Sequence, residues 1–272
     1  MLIRRVLTAA VLLPLFLGAM FHLPPRAWAI AMLLPVAAAA FEWGRLTGLG
    51  RLGAFAYALF TAAAGLAWLE AGSQAPLAMV AVVLWAVATL FWVVVVPLWL
   101  GLSWKPRSRV LGVITGMLVL FPAWLALIML QPKPWLLLAL LGVVWVADSA
   151  AYFSGHRWGR RKLAPSISPG KTWEGVAGAV CAVVLYHSVV WHWGLSQVMP
   201  EAWLAMALLV AAMVPLSILG DLFESWMKRQ AGVKDSGNLL PGHGGILDRI
   251  DALTSTLPVA ALVFALFNGR LT

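Results

Sequence analysis

The sequence predicts an all-α polytopic integral membrane protein of about nine transmembrane helices with two longer cytoplasmic loops, and three observations carry that prediction. Of its 272 residues, 62% are hydrophobic and only 11% charged, with a mean hydropathy of +0.92. A soluble domain is about half apolar and a quarter charged, so this chain belongs in lipid. Apolar segments recur along its whole length, each close to the roughly 17 to 20 residues that a helix needs to cross the hydrocarbon core. The basic residues, finally, gather in alternate connections.

In chain order the predicted spans are Val6 to Phe21, Arg26 to Phe41, Leu52 to Leu69, Pro76 to Leu100, Val110 to Leu130, Pro134 to Phe153, Gly175 to Trp193, Ala202 to Leu222 and Ala252 to Phe267. The first follows Arg4 and Arg5, and a basic start before an apolar stretch is also what a signal peptide shows. The charge count favours a retained helix. With nine spans, 16 of the 19 basic residues share one side, and only Arg26, Lys133 and Arg270 fall opposite. The positive-inside rule then places the N-terminus and the basic loops, Arg107 among their residues, in the cytoplasm and the C-terminus outside. Dropping one of the first two helices would mix the charges.

Pro14, Pro35, Pro97, Pro122 and Pro215 fall inside spans, where neighbouring helices can satisfy the freed backbone groups. Trp104, Trp135, Trp193 and Trp203 lie near predicted ends, where indole rings anchor at the interface. The lone cysteine, Cys181, excludes a disulfide framework and a cysteine-based zinc site, and reads as a small buried apolar side chain. His22, His187 and His192 read as hydrogen-bonded or interfacial groups, and Glu42 and Glu70 as interface markers. A net charge of +9 and a pI near 10.5, spread over short loops, suit an anionic membrane face and argue against nucleic acid. No repeat or long linker divides the chain, so residues 1–272 form one membrane-embedded domain.

Polar capacity concentrates in two connections, Ser154 to Glu174 and Phe223 to Asp251. The second supplies cations from Lys228, Arg229, Lys234 and Arg249, glycines that permit close backbone approach, and hard oxygen ligands from Asp235, Asp248 and Asp251. These are the parts of a metal-assisted triphosphate site. Just before it, Asp221 ends the eighth predicted helix, and Asp148 holds the corresponding place near the end of the sixth. A carboxylate at mid-membrane costs roughly 2.5 to 3.5 kcal/mol, so each needs a polar partner. A basic, glycine-rich loop often does no more than fix topology. Two aspartates and an arginine within four residues, after Gly244 and Gly245, are an expensive way to do only that. A Walker A reading of Gly170, Lys171 and Thr172 fails, because that pattern requires glycine where Pro165 stands.

From Ser225 to Asp251 the chain resembles the signature of the phosphatidate cytidylyltransferases. Ser225, Met227, Lys228, Arg229, Lys234, Asp235, Gly237, Leu240, Pro241, His243, Gly244, Gly245, Asp248, Arg249 and Asp251 fill its positions. Ile167 to Gly175 (ISPGKTWEG) is similar to a second family motif, and Asp148, Ser149, Ala151 and Tyr152 to a third. The resemblance covers the last half of the chain, with the signature-bearing part near residues 145–255. Gly170, where many relatives carry lysine, and Ala150, where glycine is frequent, depart from the pattern.

The resemblance implies transfer of CMP from CTP to phosphatidic acid, giving CDP-diacylglycerol and pyrophosphate. It implies Mg²⁺ and a second cation, with Asp221 and Asp248 as leading ligands and Asp251 as helper. Lys171, Lys228, Arg229, Lys234 and Arg249 become candidates for the phosphates. Asp235, His243 and Ser225 are assigned to substrate binding, and Asp148 and Glu174 to shaping the site. It further implies a bacterial-type inner membrane, where cytosolic CTP meets a lipid headgroup, and leaves the oligomeric state open, a homo-oligomer included. A transporter would also place Asp148 and Asp221 in the membrane, but no symmetry relates the halves. A CDP-archaeol synthase or polyprenol kinase is a closer rival, opposed by the complete signature, as is a non-catalytic relative.

Overall fold

The computed structural model describes residues 2–72, 75–106, 108–195, 202–240 and 242–268; Arg107, Pro241 and Arg270 lie outside them. In lipid every backbone polar group must be satisfied within the chain, and a continuous helix does this most simply. The chain accordingly forms α1 (Leu2–His22), α2 (Pro25–Leu46), α3 (Gly50–Glu70), α4 (Ala75–Leu90), α5 (Val96–Gly101), α6 (Arg109–Leu130), α7 (Pro134–Trp158), α8 (Trp173–Val190), α9 (Trp203–Gln230) and α10 (Leu247–Asn268). Among the described residues, eight helical stretches are long and apolar enough to cross a membrane, with α4 and α5 counted as one. The apolar part of α1, Leu7–His22, is a shorter ninth. The protein is therefore an all-α polytopic membrane protein in its spans.

One π-helical turn, Phe91–Val95, joins α4 to α5. Its cause is local. Pro97 has no N–H to offer the preceding turn, and the Val96 amide donates instead to Phe91 O, five residues back. Pro14, Pro35, Pro122 and Pro215, together with Pro258, lie inside continuous helices.

α10 runs through the bundle and packs against α9, α6 and α4, while α2 pairs with α3 and α6, and α7 with α8. Tryptophans latch these contacts. The Trp28 indole donates to Leu127 O at 3.1 Å and the Trp124 indole to Ala29 O at 3.0 Å, a reciprocal pair between α2 and α6. Trp104, Trp135, Trp193 and Trp203 are exposed. Cys181 corrects its expected burial: it is exposed, on the outward side of α8 with Val180, Val184 and Leu185. Lipid is as apolar as the core, so an apolar side chain carries no instruction about which way to face.

Two further corrections concern the long connections. The predicted spans stop where charge begins, but the helices do not. α7 continues to Trp158 and α9 to Gln230, placing Asp148 and Asp221 well inside helices. The stretch LFESWMKRQ contains no Gly or Pro and carries an i,i+4 Glu224–Lys228 pair, so helix propensity persists after hydropathy falls. The other end of the second connection is helical too, since Leu247 starts α10 with Asp248 in its first turn. The first connection is not a plain loop. It contains an antiparallel hairpin of β1 (Lys162–Ala164) and β2 (Ser168–Thr172), which pairs Lys162 with Thr172 and Ala164 with Ser168 and shifts register between them.

Candidate active site

β2 runs directly into α8. Thr172 forms the N-cap, its Oγ1 accepting from the Gly175 amide at 3.1 Å. Glu174 accepts from the Arg161 amide at 3.2 Å and closes the hairpin base. The hairpin sits close to the helices because the partners are glycines: a Cβ at Gly155, Gly159 or Gly175 would press on the Thr172 hydroxyl. This packing aims Lys171, the residue before the cap, at α9. Its Nζ lies 2.5 Å from Asp221 Oδ2, and Ser225 Oγ, one turn on, donates to Asp221 Oδ1 at 3.2 Å.

The second cluster is deeper. Lys228 Nζ lies 2.7 Å from Glu224 Oε2 and 2.6 Å from Asp248 Oδ1, with all three side chains at most 10% exposed. Asp248 also accepts from the amides of Gly245 at 2.8 Å and Ser236 at 3.0 Å. The turn before it needs its glycines. Leu240 and Gly244 form a bridge, and Gly242 and Gly244 adopt φ of 78° and 80°, where side chains with a Cβ are disfavoured.

Both clusters open into one cavity of about 840 Å³. Ten of the predicted residues line it: Asp148, Lys171, Asp221, Lys228, Arg229, Lys234, Asp235, Asp248, Arg249 and Asp251. Asp148 lies in the field of Lys171 and Asp221, and Asp251 in that of Asp221, Asp148 and Lys228. Ser225 and Glu174 do not line it, and Ser225 reaches the wall only through its bond to Asp221. His243 stands apart, in a smaller depression of about 500 Å³ that it shares with Asp235 and Arg249, and its backbone oxygen accepts from Arg249 Nε at 3.0 Å.

Among the described residues, no three carboxylate, histidine or cysteine groups converge as a ready-made cation cage. Mg²⁺ does not require one, since it is commonly held by one or two carboxylates with phosphate and water completing the shell. The carboxylates on this wall fit that mode, with Asp221 the more open of the two leading candidates at 37% side-chain exposure and Asp248 the more engaged.

Three contributors escaped the sequence reading. Glu224 carried a usable signal, its spacing of four from Lys228. Ser236 is buried between Asp248 and Glu42. Glu42, read as an interface marker, is instead 2% exposed and bonded to the signature segment. Glu70 does lie at an exposed end, paired with Arg26 at 2.5 Å.

Cations and carboxylates interleaved around one cavity in a multi-span helical bundle define a class, that of membrane-embedded enzymes acting on phosphate-bearing substrates. The profile of the Cytidylyltransferase family matches residues 3–267. A phosphatidate cytidylyltransferase of Pseudomonas aeruginosa is 45% identical over 272 residues, covering 97% of this chain and 98% of that protein. Proteins of the same name match over shorter stretches: in Haemophilus influenzae at 48% identity over 45% of this chain and 43% of that protein, and in Thermotoga maritima at 42% over 48% and 50%. The chain belongs to the Cytidylyltransferase family.

Proposed function

We propose that this protein is a CTP:phosphatidate cytidylyltransferase, a nucleotidyltransferase of phospholipid biosynthesis that makes CDP-diacylglycerol and pyrophosphate. The observation that carries the reading is the Lys171–Asp221 pair, which joins the Ile167 to Gly175 motif to the helix leading into the signature, in the wall of a single cavity with Lys228 and Asp248. An oxygen of the phosphatidate phosphate attacks the α-phosphorus of CTP, and the bond to the β-phosphate oxygen breaks. Both reactants are polyanions, so the protein's work is positioning and charge neutralisation. Lys171, Lys228, Arg229, Lys234 and Arg249 supply the positive charge. The nucleophile is already ionised at neutral pH, so no general base is assigned.

Asp221 and Asp248 would hold Mg²⁺, with Asp251 assisting and a second cation near the departing pyrophosphate; when bound, such an ion neutralises phosphate charge and polarises the phosphorus. The site faces the cytoplasm in this reading. Its support is the bundle's charge asymmetry: Arg45, Lys105 and Arg229 line a basic depression of about 880 Å³ that shares Arg229 with the main cavity, and the far end carries the neutralised Arg26–Glu70 pair. CTP enters from water, and phosphatidate keeps its acyl chains in the bilayer of an inner, plasma-membrane type.

The test is pyrophosphate release by purified protein given CTP, phosphatidate and Mg²⁺, each omitted in turn, with the lipid product identified. Release that needs all three and yields CDP-diacylglycerol supports the reading. Product only from another lipid phosphate or alcohol would replace phosphatidate as substrate, and flux without CTP consumption would abandon the reaction.

A further inference from the structure

Glu42 sits on α2, far in sequence from both motif segments, yet its carboxylate accepts three hydrogen bonds from the signature. Ser236 Oγ donates to Oε2 at 2.8 Å, Leu247 N to Oε2 at 2.9 Å and Ile246 N to Oε1 at 3.1 Å. Among the described residues no cation pairs with it. What balances its charge is the start of α10: the Ile246 and Leu247 amides belong to the group of N–H donors that a helix leaves unsatisfied at its positive end. A helix N-cap usually comes from the residue just before the helix. Here the acceptor comes from another helix of the same chain, about 200 residues earlier.

The consequence reaches Asp248 through shared atoms. Ser236 gives its hydroxyl to Glu42 and its amide to Asp248, and Gly245, whose amide binds Asp248, immediately precedes the two amides that bind Glu42. Asp248 in turn receives Lys228 from α9. Two signature glycines are explained by the same side chain. A Cβ at Gly245 would strike Ser236 and the Glu42 carboxylate, and at Gly237 its three nearest neighbours would all be Glu42 atoms.

We propose that Glu42 is a positioning residue of the transfer reaction, a buried anchor from the first half of the chain that fixes the start of α10 and with it Asp248 against α9. The proposal rests on the role assigned above to Asp248. It makes the signature's glycines part of a socket for a residue outside the signature.

The experiment uses the full-length protein in detergent or nanodiscs, with two readouts: pyrophosphate release and amide hydrogen exchange across residues 236–251. Glu42→Gln keeps the shape but places amide hydrogens against backbone donors. A displacement of about 1 Å can cost about 100-fold in rate, so kcat should fall by roughly 10- to 100-fold, more than any change in KM for CTP. Exchange at Ile246 and Leu247 should accelerate, with α3 amides unchanged. Gly237→Ala should lower kcat by itself, whereas Glu42→Ala with Gly237→Ala should be no worse than Glu42→Ala, because the added methyl enters vacated space.

Wild-type rates and exchange in Glu42→Gln, or losses that simply add in the double variant, overturn the proposal. If Glu42→Gln does not accumulate as folded protein, Gly237→Ala, which leaves the carboxylate intact, carries the test, and its full activity would be equally fatal. Should the wild-type protein release no pyrophosphate, the transfer reading falls separately, and exchange alone then decides whether Glu42 anchors the segment.

Discussion

Two lysines of the site look alike in sequence and differ in what surrounds them. Lys228 stands between two buried carboxylates, and Glu224 Oε1 has no hydrogen-bond partner among the described residues. Removing one member of a buried ion pair leaves uncompensated charge, at about 3 to 5 kcal/mol. Lys228→Met should therefore lose both transfer activity and stability, the latter read as a lowered unfolding temperature in detergent. Lys171 and Asp221 form a more open pair, at 22% and 37% side-chain exposure. Pairs of that kind contribute about 0 to 1 kcal/mol to stability. Lys171→Ala should leave the unfolding temperature nearly unchanged while lowering kcat by about 100- to 1,000-fold, the usual cost of one electrostatic contact to a transition state. An equal loss of stability in both variants would remove the distinction. Glu70→Gln, at the far exposed pair, should alter neither quantity.

At the scale of elements, the hairpin and its cap decide where Lys171 points. Thr172 is buried and its hydroxyl caps α8 among three close glycines. Replacing an N-cap hydroxyl costs about 1 kcal/mol. Thr172→Val should destabilise the protein by that order in chemical unfolding and reduce kcat through Lys171, and Thr172→Ser, which keeps the oxygen, should restore most of both. The hairpin was invisible to a reading based on spans, because its eight strand residues are short, polar and proline-containing. The extension of α9 was legible in principle: Glu224 and Lys228 lie four apart in a stretch free of Gly and Pro. Hydropathy ended the span at Leu222, where apolar side chains run out, but a helix ends only where its backbone is interrupted, and Gly232, with φ of 71°, is the first such residue.

For the whole molecule, the two halves meet at the site. α2 brings Glu42 to the start of α10, α8 follows the hairpin that carries Lys171, and α9 supplies Asp221 and Lys228. Since the described residues hold no preformed cation cage, Mg²⁺ binding should depend on the nucleotide. Calorimetry with Mg²⁺ alone should give far weaker binding than Mg²⁺ titrated in the presence of CTP. A chelator should abolish pyrophosphate release reversibly while leaving helix content unchanged, and activity that survives chelation would remove the metal from the proposal.

The sequence by itself determined the membrane class, the order of the spans and the residues that gather at the cavity, because hydropathy and motif spacing are local properties of a chain. Ten of the residues so marked line one cavity, although it is the packing of the helices that brings them together. The tertiary structure alone decided which way Cys181 faces, which carboxylate each lysine holds and what Glu42 does. A carboxylate near a helix end looks the same in sequence whether it meets water or caps a distant helix. Its partners, 194 to 205 residues away, exist only once the helices have packed.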